Sequence, residues 1–384
     1  MLLRLFRIPI GVTILGIAGA AVVGGASVAG IVAILAILEI SLSFDNAVVN
    51  ATVLRRMDER WQRIFLTIGV LIAVFGMRLI FPLLVVTLSS HLNPVDVLNL
   101  AINHPTDYAK HLTDAHPAIA AFGGIFLMMI FLDFVFEERE ITWLGPIERA
   151  LAKVGKLDQV SVVVGLIVLI VTATTFGKDH AVQVLVSGAA GLAAYIAVSG
   201  LSALFEGEAD DEQDADTAST AAAAETADSA DDGTNSADSA DDASVRVPVS
   251  LARSGLFLFL YLEMLDASFS FDGVVGAFAI TDKIFVIALG LGIGAFYIRS
   301  LTVFLVRKGT LSDYVHLEHG AHWAIGSLAV LLFVTIAHEV PELVTGLIGI
   351  GFIGAALVSS IVRNRRQAGA EGEESLAAPT PAGV

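Results

Sequence analysis

The stretch Leu38 to Ala51, LEISLSFDNAVVNA, decides how the whole chain is read. It lies in a run apolar enough for lipid, yet it carries Glu39, Asp45, Asn46 and Asn50. A carboxylate at the bilayer centre costs roughly 2.5–3.5 kcal/mol on insertion scales, so acids in such a run are a functional hypothesis by default. The pattern returns at Asp266 to Ala277 as DASFSFDGVVGA. Each copy sets a carboxylate six residues before the Asp of a Phe-Asp pair, with serines between: Glu39 and Asp45, then Asp266 and Asp272.

Working outward, hydrophobic residues make up 55% and charged residues 16% of 384 positions, and the apolar residues fall in long runs. The fold class is an all-α polytopic membrane protein. There is no cysteine, which excludes disulfides, thiolate metal sites and cysteine nucleophiles. The formal charge of −17 is local: Glu206 to Asp242 holds fourteen acids without a Lys or Arg, and −3 is left for everything else. Nothing offers a basic face to nucleic acid. No GxxxxGK[ST] loop, Ser/His/Asp set or metalloprotease motif is present, so an enzyme is not expected.

Apolar runs predict about ten transmembrane helices, over 8–26, 28–54, 64–88, 117–136, 160–176, 181–204, 252–279, 284–306, 321–337 and 341–362. The start has the basic, apolar, small-residue order of a signal peptide, but its length favours a retained first helix. With both termini cytoplasmic in a multi-pass cell-membrane protein, inner segments hold seventeen Lys and Arg against three outside, as the positive-inside rule requires. Arg78 and Arg299 fall within helices. The first membrane half is 1–204, with repeat helices over 28–136. A 205–250 linker rich in Ala, Asp, Ser and Thr follows, which cannot bury a core and reads as disordered and cytoplasmic. The second half is 251–363, and 364–384 reads as a disordered tail.

The halves align. Asp45 matches Asp272, Glu39 matches Asp266, and Arg78 matches Arg299 after six extra residues in the first copy. AHPAIAAF from Ala115 matches AHWAIGSL from Ala321, and Asp133 and Glu339 each follow the histidine by seventeen residues. Five helices separate the starts of the two copies, an odd number, so two three-helix repeats of opposite orientation are expected, 28–136 and 252–337. Inverted repeats with a midplane site are a transporter architecture.

Carboxylate, amide and hydroxyl oxygens form a hard donor set that suits Mn²⁺, Ca²⁺ or Mg²⁺ over Zn²⁺. Glu39 and Asp45 stand about 9 Å apart along a regular helix and about 120° apart around it. They share an ion only if the backbone loosens near Asp45, and equally near Asp272; otherwise each acts at a different stage. Glu263 and Asp266, three apart, share a face. Four ionised acids around a divalent cation leave about −2 in low dielectric. Either some are protonated, which suggests metal/proton exchange, or Arg78 and Arg299 compensate. The plainer reading is that the acids pair with those arginines and hold helices together. His316, His319 and His322 read as a polar helix start before a metal collector. Asp133 and Glu339 lie near the membrane faces, as solvated ends or gates. Glycine runs from Gly290 and Gly346 read as close helix packing.

At Glu39, Asp45 and Asn46 (E-x5-D-N) and Glu263, Asp266 and Asp272 (E-x2-D-x5-D), the sequence resembles the TerC family, named for tellurium resistance and grouped with LysE-like exporters. AIT-D at Ala279 to Asp282 also fits. The likeness covers helices two to four and seven to nine, about half the chain. Gly273 replaces an expected Ser, and Val275-Gly276 an expected Ile-Pro. The resemblance implies export of a divalent cation, manganese first and calcium second, as substrate and with no permanent cofactor. Glu39, Asp45, Asn46, Asp266 and Asp272 would then be ligands or proton carriers. Arg78, Arg299, Glu263, Asp133 and Glu339 would balance charge or gate. The sequence is equally compatible with a homo-oligomer. A non-transporting scaffold for a stress or assembly complex, or an exporter of another small solute, stays open.

Overall fold

The computed structural model describes residues 2–90, 92–157, 159–200, 249–278, 280–307 and 313–377, and every regular element among them is helical. The acidic linker expected over 205–250 lies almost wholly outside the described residues. Among the described residues, seven helices are long and apolar enough to cross a membrane. By contacts the chain divides into Met1–Tyr195 with Leu262–Val384, and Ile196–Tyr261; all packing below is within the first.

Helix α1 (Leu2–Leu42) is interrupted at Gly25, where φ is 75° and ψ −174°. That conformation is open almost only to glycine. The arm before Gly25 lays Phe6 and Thr13 against Tyr297, and Gly16 against Ile293. The arm after it lays Leu35 on Gly290 and Glu39 on Gly294. The two arms therefore run in opposite directions along one partner. Gly25→Ala should lower the thermal midpoint in detergent by the equivalent of about 1–3 kcal/mol. An unchanged midpoint would mean that the turn is not held at this residue.

α2 (Phe44–Leu54) follows a break at Ser43, and α3 (Glu59–Ile64) begins at Asp58, whose side chain accepts from Trp61 N–H. The helix continues with widened π turns over Phe65–Gly69 and Ile72–Ile80 before α4 (Phe81–Ser90). Pro82 lacks an N–H and crowds the preceding turn, which accounts for widening there.

The described residues between 89 and 116, left between two expected helices, are largely helical. α5 (Pro94–Asn103) starts where Asn93 accepts from the N–H groups of Val95 and Asp96, both at 3.0 Å. α6 (Pro105–Phe136) starts twelve residues before the expected span. Proline at the first helical position is pre-set for helix. α7 (Gly145–Val154) and α8 (Val160–Thr175) follow, then α9 (Lys178–Gly200), α10 (Val249–Ala277), α11 (Ile284–Arg307), α12 (Leu317–Thr335) and α13 (Glu342–Ala377).

α13 corrects the expected tail. Arg363 to Ala377 is rich in Arg, Gln, Glu and Ala, all good helix formers, and the helix runs through it. α6 and α12 pack antiparallel, with Gly124 against Phe333, Phe131 against Gly326 and Phe134 stacked on His322. α11 runs antiparallel to the π turns, placing Phe65 at Arg299 and Val74 at Gly292. The Gly290–Gly294 run thus serves close packing: a methyl group at Gly290 would meet Leu35 Cβ at 2.6 Å.

Candidate functional site

The first acid motif breaks where an oxygen is ready to cover the break. Ser43 leaves helical conformation at φ −98° and ψ 17°. Asp45 Oδ1 then accepts from the Asn46 N–H at 3.0 Å. In an apolar setting a freed amide must find a partner, and the carboxylate supplies it. The expected break near Asp45 is present, two residues early. The second motif differs: α10 is helical throughout Val249–Ala277, with no break near Asp272. An unbroken ladder leaves no backbone group to satisfy there. The Asp272 side chain lies outside the described residues.

Three of the acids are committed to arginine. Glu39, buried on α1, forms an ion pair with Arg78 and accepts from Ser43 Oγ at 3.3 Å. Arg78 is 2% exposed and also donates to the Ala73 carbonyl at 2.6 Å, within the widened turns. Arg299, likewise 2% exposed, donates to both Glu263 oxygens at 3.1 and 3.2 Å, and to Asp266 Oδ2 at 3.3 Å. Its guanidinium lies 3.9 Å from the centre of the Phe65 ring. Glu263 and Asp266 do share a face, and that face is turned to a cation of the protein itself. The plainer reading of these acids, as partners of arginine holding helices together, describes Glu39, Glu263 and Asp266.

Asp45 is the exception. It is buried, and among the described residues it has no basic partner. Its Oδ2 lies against Gly349 of α13, where a side chain has no room. It lines a cavity of about 860 Å³ together with Glu39, Ser43, Asn46, His116 and Gly273. His338 and Glu339, in the connection from α12 to α13, line it too and are exposed. The cavity thus draws on both acid motifs, but Asp266 faces Arg299 and is not in its wall. Asp133 is elsewhere: it accepts from Tyr195 Oη. Among the described residues no three His, Asp or Glu side chains come together closely enough to hold a metal ion. Glu39 and Asp266 each give a carboxylate oxygen to an arginine. One unpaired carboxylate with an adjacent amide can instead hold a cation that keeps part of its water shell.

The three histidines do not converge. His316 Nδ1 pairs with Ser359 at 3.0 Å, His319 with Glu148 at 3.1 Å, and His322 with the Glu318 carbonyl at 2.8 Å. Burial, then the Arg363 charge, lowers the His316 pKa from its ordinary value. Glu148 is the residue sequence reading passed over. Buried on the surface helix α7, it accepts from Trp143 N at 2.9 Å, His319 and Trp323 Nε1 at 3.3 Å. His319 and Trp323, four apart on α12, were the available signal, since such pairs share a helix face.

No curated protein and no solved structure is detectably similar to this chain. A family described as "Protein of unknown function (DUF475)" matches residues 44–367, from the helix that opens at the Ser43 break to the basic stretch of α13. Because the match spans well over half of the chain, from within the first acid motif through the second, the chain belongs to the DUF475 family.

Proposed function

We propose that the protein is a secondary transporter that exports a divalent cation, manganese first, in exchange for protons. The observation that carries this reading is Asp45: a buried carboxylate with no basic partner among the described residues, at a helix break, in the wall of a large cavity. Burying an uncompensated carboxylate is costly, and a passing cation is the partner that would offset it. Asn46, Ser43 and His116 add neutral ligands to the same wall. Oxygen donors favour Mn²⁺, Ca²⁺ or Mg²⁺.

The reading takes the two halves as inverted repeats within about ten spans, with both termini cytoplasmic. Antiparallel packing of the aligned helices α6 and α12, and of α11 with the π turns, supports it. So does the pairing of aligned residues within each half, Glu39 with Arg78 and Asp266 with Arg299. Arg78 holds Glu39, and Arg299 is shared by Glu263 and Asp266, so the transported charge meets Asp45 and the exposed Glu339. Kinship with TerC-type exporters belongs to this proposal.

Purified full-length protein should show a higher melting midpoint with Mn²⁺ than with Zn²⁺ or monovalent salt at equal ionic strength, since a ligand that binds only the folded state stabilises it. In proteoliposomes the same cation should cross, with proton movement in the opposite direction. Absence of both the midpoint shift and the flux across a divalent panel would overturn the reading.

A further inference from the structure

Asn50 is fully buried on α2, and neither its Oδ1 nor its Nδ2 has a hydrogen-bond partner. A carboxamide offers two donors and an acceptor, and leaving them unmade in a dry interior is costly. Other orphans among the described residues are partial or single. Arg78 and Arg139 lack a partner only at Nε, and Tyr108 only at its hydroxyl. Thr52, on the same helix, turns its hydroxyl back to the Val49 carbonyl at 2.7 Å. Asn50 alone has both ends unpaired, and no helix cap, turn or packing contact calls for an amide there.

Its place on the helix gives the orphan a meaning. Asn50 follows Asn46 by four residues, on the same face and about 6 Å further along. Asn46 is in the cavity wall, and every residue from Asp45 to Thr52 is buried. Asn50 therefore lies one turn along α2 from the cavity wall, in the buried part of that helix. A partner able to satisfy both ends of an amide must donate and accept at once. Water does this, and hard divalent cations bring water with them.

We propose that Asn50 is a second binding station, for the water shell of a divalent cation moving between Asp45 and the far end of α2. The proposal rests on the transport reading above. It adds a residue that binds the shell rather than the ion.

The test is Mn²⁺ flux into proteoliposomes carrying the full chain, read beside the thermal midpoint. Asn50→Leu removes both polar ends and should cut the initial rate about tenfold or more, with an unchanged or raised midpoint. Asn50→Ser keeps a group that can hold water and should stay within about threefold of wild type. If the Leu variant does not fold, Asn50→Ala takes its place with the same expectation. A Leu or Ala variant that transports at the wild-type rate shows a site of structural water only and overturns the proposal. So does a Ser variant as slow as the apolar ones. Wild-type protein with no flux sinks the transport reading itself, and the second station with it.

Discussion

Asp45→Asn should abolish cation flux while leaving the protein at least as stable as wild type. The asparagine keeps the shape and an oxygen able to accept the Asn46 N–H, so the cover over the Ser43 break survives. What disappears is a buried carboxylate that pairs with no basic side chain among the described residues. Loss of a charged ligand should lower flux on the order of 100-fold, at least the upper end of what outer-shell changes cost in metal sites. Stability should move the other way, because an uncompensated charge no longer has to be kept from water. The measurement is proteoliposome Mn²⁺ flux set against the thermal midpoint of the same preparation. Flux kept at the wild-type level would remove Asp45 from the path. Flux and midpoint falling together would make it a structural residue.

Arg299→Met should do the opposite, damaging the fold first. The guanidinium is shared by Glu263 and Asp266 and lies over Phe65. Removing it strands two buried carboxylates, and breaking a buried ion pair in this way typically costs about 3–5 kcal/mol. Folded yield and midpoint should drop sharply. Adding Glu263→Gln and Asp266→Asn removes the stranded charges and should restore most of the loss, since buried ion clusters are often replaceable by neutral groups. A rescued triple variant that also transports would make this cluster scaffold alone. A rescued fold without flux would give Glu263 or Asp266 a part in proton movement. A single Arg299→Met variant as stable as wild type would contradict the buried cluster itself.

The two experiments separate groups that look alike in sequence. Glu39 and Asp45 form one motif, and Asp266 and Asp272 form another, so all four read as ligands or proton carriers of one site. Spacing along the helix already spoke against a single grip, because six residues turn the two acids of a motif apart. Which acid meets an arginine is set by residues far away: Arg78 is 39 positions from Glu39, and Arg299 is 36 from Glu263. The symmetric expectation of two breaks fails for a local reason. Asp45 turns back to cover the Asn46 amide, and α10 keeps its ladder intact.

Errors in the helix map have local causes too. Asn93-Pro94 and His104-Pro105 are helix starts that an apolar-run reading passes over, because α5 and the first turns of α6 are polar enough to look like loop. The stretch from Asn364 read as a disordered tail, yet its residues up to Ala377 favour helix and extend α13. Glu148 was hidden because its partners, His319 and Trp323, are 171 and 175 positions away.

By itself the sequence determined the membrane class, the two acid motifs and the arginines opposite them, because these depend on composition and on spacing along a helix. Tertiary structure alone decided that LEISLSFDNAVVNA splits its work: Glu39 is tied down by Arg78, while Asp45 is left facing the cavity and Asn50 is left without a partner. The physical reason is that a buried charge is defined by what stands across from it, and helix packing brings that partner from elsewhere in the chain.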